Sequence, residues 1–130
     1  MATAPAFTSI PRFEFVRVAA ANTNRDGTGT PAMLITGVAA GTKVTSITFQ
    51  AEVTTSQGMW RVFSSLDAGT TWRLYDEIPV PALVPSATVA GSRMVRYYSD
   101  LILRNASHQL GVTSHNGEAF VSHAAGGDLT

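Results

Sequence analysis

Apolar and polar residues alternate with a period of two along most of this chain, and no stretch carries the 3.6-residue period of a helix. Val44 to Thr54 is the cleanest case. Ile47, Phe49, Ala51 and Val53 fall on one face, and Ser46, Thr48, Gln50 and Glu52 on the other. Comparable runs are Phe13–Ala20, Met33–Thr36, Met59–Leu66, Thr71–Ile78, Arg93–Arg104, His108–Ser114 and Glu118–Ala125. Clusters of turn formers separate them. Asp67-Ala68-Gly69-Thr70 marks one hairpin, and Asn116-Gly117 marks a second with a type I′ turn. Pro79, Pro81 and Pro85 break the segment between Ile78 and Arg93 into an extended connection. Residues 126–130 read as a short mobile tail.

About eight strands with regular turn signals and no βαβ alternation predict an all-β chain. The expected fold is a single-domain antiparallel β-sandwich of jelly-roll type over residues 13–130. Residues 1–12 are rich in Ala, Thr, Ser and Pro, and Pro5 and Pro11 predict an extended N-terminal arm.

Two strands break the simple pattern. In Met59–Leu66, Trp60, Val62 and Leu66 oppose Met59 and Phe63. In Arg93–Arg104, Val95, Tyr97, Leu101 and Leu103 oppose Met94, Tyr98 and Ile102. A sandwich strand needs one apolar face, so a second must be covered by the arm, by the proline segment or by another subunit. Subunit contact is the expected cover. With the apolar residues of the arm, this makes Phe7, Ile10, Phe13, Met59, Phe63, Met94, Tyr98 and Ile102 the candidate subunit or particle contacts.

Composition narrows the classes of function. Nine basic residues balance nine acidic ones with the signs interspersed, so the electrostatic footprint of a nucleic-acid binder or of a polybasic membrane patch is missing. No run approaches the ~20 apolar residues of a membrane span. Eight of the nine cations are Arg, which interfaces favour over Lys. The absence of Cys excludes disulfides and thiolate metal sites. The N-terminus lacks the basic-then-apolar pattern of a Sec signal.

Candidate chemistry is sparse. His108, His115 and His123 have no carboxylates at ligand spacing. There is no Gly-x-Ser-x-Gly elbow, and Asp76 and Glu77, adjacent on a strand, point to opposite faces. Gly27-Thr28-Gly29 lacks the Lys and helix of a phosphate loop. Neither an enzyme nor a cofactor is expected. Among the aromatics, Trp60 and Trp72 fall in phase with apolar neighbours and are assigned to the core. Tyr75 and Tyr98 are the candidates to face a ligand, because an aromatic ring can stack on a sugar.

Two stretches carry a family resemblance. One is Ala21-Asn22-Thr23-Asn24-Arg25-Asp26-Gly27-Thr28-Gly29-Thr30 with the later Gly58-Met59-Trp60-Arg61-Val62-Phe63. The other is Thr113-Ser114-His115-Asn116-Gly117-Glu118-Ala119-Phe120-Val121 with the closing Gly126-Gly127-Asp128-Leu129. The arrangement resembles small all-β virion structural proteins of tailed bacteriophages over residues 12–129. The resemblance implies a capsid decoration (cement) protein that binds and stabilises the assembled head. A tail or baseplate component, or a carbohydrate- or receptor-binding module, is the alternative. It also implies a virion location after assembly in the host cytoplasm. The partners would be other copies of the chain, as a homotrimer, and the major capsid protein or other virion proteins, with neither nucleic acid nor membrane among them.

Overall fold

The computed structural model describes residues 8–129, with side chains from Ile10 onward, so Phe7 lies outside the described residues. Nine strands follow in order: β1 (Thr8–Val18), β2 (Ala32–Thr36), β3 (Thr42–Ala51), β4 (Gly58–Ser65), β5 (Arg73–Val80), β6 (Arg93–Tyr97), β7 (Ile102–Leu103), β8 (Gln109–Ser114) and β9 (Phe120–Leu129). No helix occurs among the described residues.

The pairing is nested. β1 pairs with β9, β2 with β8, β3 with β6 and β7, and β4 with β5, every pair antiparallel. The chain is thus one long hairpin with its tip at the β4–β5 turn. Lateral pairing of β3 with β9 and of β4 with β8 rolls this hairpin into two sheets. The first has the order β1-β9-β3-β6, with β7 also on β3; the second has the order β2-β8-β4-β5. This is jelly-roll topology.

The inner faces meet over a core of apolar side chains from both sheets. At its centre Phe49 stacks on Trp60 at 5.4 Å between centroids, and Phe120 lies tilted against both. Burying such side chains contributes roughly 1.5–3 kcal/mol each. One end of the sandwich is closed by polar groups. Buried Asp128 accepts hydrogen bonds from Arg12 at 2.9 Å and from Thr42 Oγ1 at 2.8 Å, and Arg12 also donates to the Thr36 carbonyl. The edge between β5 and β6 is closed by Asp76, which accepts from Arg96 Nε and from the Tyr98 hydroxyl, both at 2.9 Å.

The extended N-terminal segment docks on the domain's own sheet: residues 8–12 are the first part of β1, where Ile10, Pro11 and Arg12 pair with Asp128, Gly127 and Gly126; three other expectations are corrected. β1 is an edge strand, where a proline lacking its N–H is tolerated. Residues 126–129 likewise belong to β9, anchored through Asp128, and only Thr130 of that tail lies outside the described residues. The Asn116-Gly117 segment is not a hairpin turn, because β8 and β9 lie in different sheets and the segment crosses between them. Asn116 instead donates to the Gln57 carbonyl at 3.3 Å. Finally, Arg93–Arg104 is two short strands with a break over residues 98–101.

A β-bulge also reorders β5. The register shifts between Val62 and Phe63, so Asp76 stands opposite Val62 and Leu74 opposite Phe63, with Tyr75 as the extra residue. Ile78 therefore points into the main core, while Trp72 and Leu74 fall on the other side of the strand from it.

Candidate assembly surface

The outer faces of the two sheets differ in how they are covered. On the second sheet the chain covers itself. The β1–β2 loop, residues 19–31, folds back over β8 and β5. The Asn22 amide donates to the Ser114 carbonyl at 2.8 Å, and Arg25 forms an ion pair with Glu77 at 2.7 Å. The loop holds its shape through its own Asx groups. Asn22 Oδ1 accepts from the Asn24 amide, and Asp26 Oδ1 accepts from the Thr28 amide and hydroxyl. Gly27 sits at φ +88 against the Trp72 backbone, so close that a Cβ would run into the Trp72 carbonyl. Beneath this cover Phe63 lies opposite Gly111, and the Trp72 ring and Pro31 close over Gly111. Phe63 is fully buried.

Charges complete the cover. Glu77 is shared by Arg25 and Arg61, the latter at 2.8 Å and itself buried. Hydrogen bonds from Arg25 and Arg61 hold the Glu77 carboxyl down to about 2, well below the usual carboxylate range.

The first sheet has no such cover among the described residues. Its outer face is built of aligned cross-strand rows. One row runs Phe15, His123, Thr48, Val95 across β1, β9, β3 and β6; the next runs Phe13, Ala125, Ser46, Tyr97. His123 is stacked on Phe13 at 5.3 Å and tilted against Phe15 at 5.8 Å. Phe13, Phe15 and Tyr97 are 66%, 68% and 79% exposed. A third row, Arg17, Val121, Gln50 and Arg93, borders the patch with charge, and Arg17 pairs with Glu52 at 3.0 Å. A shallow depression of about 210 Å³ lies between Phe13, Thr48, Arg93 and His123. The exposed aromatic side chains of this face thus stand at its two edges, Phe13 and Phe15 on β1 and Tyr97 on β6, with His123, Ala125, Thr48 and Ser46 between them.

The residues expected at contacts separate into groups. Phe13 lies on the uncovered face, and Ile102, 46% exposed, pairs with Lys43 at the end of the same sheet. Ile10 is exposed at the start of β1. Phe63 is corrected: intrachain cover by Trp72, Pro31 and the β1–β2 loop removes it from any surface. Met94 and Tyr98 pack against the main core, because the break after Tyr97 reverses the strand's phase and sends Leu101 and Leu103 inward as well. Met59 and Met94 both line an apolar groove of about 540 Å³ with Pro79, Val80, Pro81 and Ala82. Tyr75, exposed, lies tilted on Tyr98 at 5.7 Å. Burial, with the Asp76 carboxylate, holds the Tyr98 phenol above its usual range. Of the two tryptophans, Trp60 is in the main core, whereas Trp72 is buried on the outer side of the second sheet.

Sequence reasoning missed Phe15, Val95, Tyr97 and His123 as outward residues of one sheet face. The available signal was the alternation Phe13-x-Phe15 beside Val95-x-Tyr97; what hid it was reading Arg93–Arg104 as a single strand. Among the described residues, no three His, Asp or Glu side chains converge where they could hold a metal ion. No family model and no curated protein matches the chain.

Proposed function

We propose that this chain is a structural protein of a tailed-phage virion, most specifically a decoration protein that docks on the assembled head through the outer face of its first sheet. The observation that carries the reading is the pair of rows through Phe13, Phe15, Val95 and Tyr97, left open while the opposite sheet is sealed by the chain's own loop. The jelly roll, which recurs in viral capsid domains, and the family resemblance support the same assignment. Stabilisation would act by mass action. Subunits that bind only the assembled lattice shift the equilibrium toward it, and a specific contact takes about 800 Å² from each partner. In this reading the protein acts as a homo-oligomer, a trimer, with the major capsid protein as its partner.

The test is cosedimentation with particles that lack the protein. Wild type should pellet with them, and the Phe13→Ser/Phe15→Ser double variant should stay in the supernatant while keeping its melting temperature. Undiminished binding of that variant refutes docking through this face. Electron microscopy of decorated particles then separates head from tail.

One observation favours a second reading, a carbohydrate- or receptor-binding module. The Tyr75–Tyr98 pair presents an aromatic edge beside Asp76 and Arg96, and jelly rolls also host lectins. Glycan binding that is lost in Tyr75→Ala, with no binding to particles, would favour it.

A further inference from the structure

The first sheet ends in two bare edges. β1 and β6 each pair on one side only, and among the described residues no backbone hydrogen bond reaches either strand from its other side. A bare edge is a template for another strand, and in β1 only Pro11 lacks the N–H to serve it.

The phase of the ladders tells which backbone groups are free. Antiparallel partners alternate between pairs that exchange hydrogen bonds and pairs that do not. The Tyr98 amide donates to the Thr45 carbonyl and the Ala51 amide to the Ser92 carbonyl, at the two ends of the β3–β6 ladder. Met94 and Arg96 therefore turn their N–H and C=O groups toward β3, and Arg93, Val95 and Tyr97 turn theirs to the open side. The Glu52 amide, donating to the Ala119 carbonyl, sets the phase of β3 on β9. Carried across β9, the alternation leaves Phe13, Phe15 and Arg17 of β1 facing the open side.

The two edges match each other. β1 and β6 run in opposite directions within the sheet, so a rotation about an axis along the strands sets β6 of one copy antiparallel beside β1 of the next. With Phe13 opposite Tyr97 and Phe15 opposite Val95, the free backbone groups of both edges face each other as hydrogen-bonding pairs. Arg17 then meets Arg93, its charge already taken by Glu52 at 3.0 Å. Between these pairs Glu14 falls opposite Arg96 and Val16 opposite Met94, one pair of opposite charge and one apolar. A slip of two residues one way sets Arg12 against Arg96, and the other way carries Phe13 past the end of β6. Pairing two β1 strands through Phe13 and Phe15 sets Glu14 against Glu14 and leaves β6 bare. The exposed aromatics Phe13, Phe15 and Tyr97 stand on these same two edges.

We infer that copies of this chain join edge to edge, β1 of one to β6 of the next, in a head-to-tail ring. The inference rests on the homo-oligomer part of the proposed function and supplies its contact. Phe13, Phe15 and Tyr97 stay on the outer face, where the seam joins them across copies.

The test needs no particles. Sedimentation equilibrium of the full chain should give a fixed multiple of 13.7 kDa, threefold for the trimer. A monomer at the highest soluble concentration overturns the inference. A mass that keeps rising with concentration upholds the edge contact and overturns the closed trimer. Phe15→Pro removes only a donor that faces away from β9, so it should fold and stay monomeric, whereas Phe15→Ala, which keeps that donor, should still assemble with weaker affinity. Unchanged assembly of Phe15→Pro overturns the pairing. Cysteine trapping reads the register without that variant, since the chain has no Cys of its own. Phe13→Cys and Tyr97→Cys replace exposed side chains, and their Cα atoms across the seam stand about 5.5 Å apart, within disulfide reach. Mixed and oxidised, the two variants should give a covalent dimer containing one of each. Cross-linking of either variant alone, or none in the mixture, overturns the pairing. Assembly without binding to particles removes the virion assignment alone, and binding to particles by a monomer removes this contact alone.

Discussion

Phe63 and Phe15 are a natural pair for testing how this sandwich distributes its apolar residues. Each projects outward from its sheet, one on β4 and the other on β1. Phe63 is fully buried under Trp72, Pro31 and the β1–β2 loop, whereas Phe15 is 68% exposed. Truncating a buried Phe to Ala costs about 3–5 kcal/mol, the lost transfer energy plus the cavity left behind. The cover over Phe63 is partly a loop that can settle inward, which places Phe63→Ala near the lower end, at about 3 kcal/mol. For a domain of this size each kcal/mol lowers the melting temperature by roughly 4 °C, so the expected loss is about 12 °C. Phe15→Ala removes a side chain still mostly in water and should stay within about 0.5 kcal/mol, or about 2 °C. Thermal unfolding followed by circular dichroism measures both, and repeating it at two protein concentrations exposes any contribution from self-association through the Phe15 face. If Phe63→Ala melts within a few degrees of wild type, the loop does not seal the second sheet. If Phe15→Ala is as damaging as Phe63→Ala in a concentration-independent way, the first sheet is not bare.

Further outcomes follow from single contacts. Gly126→Ala should prevent folding or destabilise severely, because a Cβ there runs into the Lys43 carbonyl, whereas Gly117→Ala, with nothing closer than 3.7 Å, should melt like wild type. Glu77 stays ionised in the folded chain to about pH 2 but takes up a proton near 4.5 when free. Its contribution is therefore complete above about pH 4.5 and lost as the pH falls toward 2. The melting-temperature gap between wild type and Glu77→Gln should close over that window and stay constant above it. Tyr98→Phe removes the hydrogen bond to Asp76 that ties β5 to the chain after β6, and should cost about 1.5–3 kcal/mol, a charged-acceptor bond. It should also remove from an alkaline absorbance titration the phenol step lying above the ordinary range.

Much of the architecture was legible because strand periodicity and burial are the same fact seen twice. Ile47, Phe49 and Ala51, picked out by alternation in β3, are buried in the core, and the Asp67–Thr70 hairpin is the tip of the nested pairing. What was not legible depends on partners distant in sequence. Asn116-Gly117 is a good hairpin turn in isolation, but β8 already pairs with β2 and β4, so β9 must cross to the other sheet. Pro11 argues against a strand until it falls on an edge. Asp128, in a Gly-rich tail, becomes strand because Arg12 and Thr42 converge on it.

Apolar residues on both sides of a strand were the strongest hint of assembly in the sequence, and they have three separate causes here. In β4 the second side is Phe63, sealed by a loop of the same chain. In the segment from Arg93 to Arg104 the doubled pattern arises from a break. Met94 and Tyr98 point inward before it, Leu101 and Leu103 point inward after it, and the two phases superimpose when read as one strand. The third cause leaves aromatic surface in water on the first sheet: Phe13, Phe15 and Tyr97, with half-buried Val95 on the same strand as Tyr97, on strands whose inward side is already filled by Val16, Val18 and Met94. These four residues contribute nothing to the core. Nothing in the fold requires Phe at 13 and 15, where Thr or Arg would serve an exposed edge strand and guard it against unwanted pairing. Their presence is therefore a cost in solubility that a contact with a partner would offset, and this is the physical basis for proposing the first sheet, rather than the strands that first suggested it, as the contact surface.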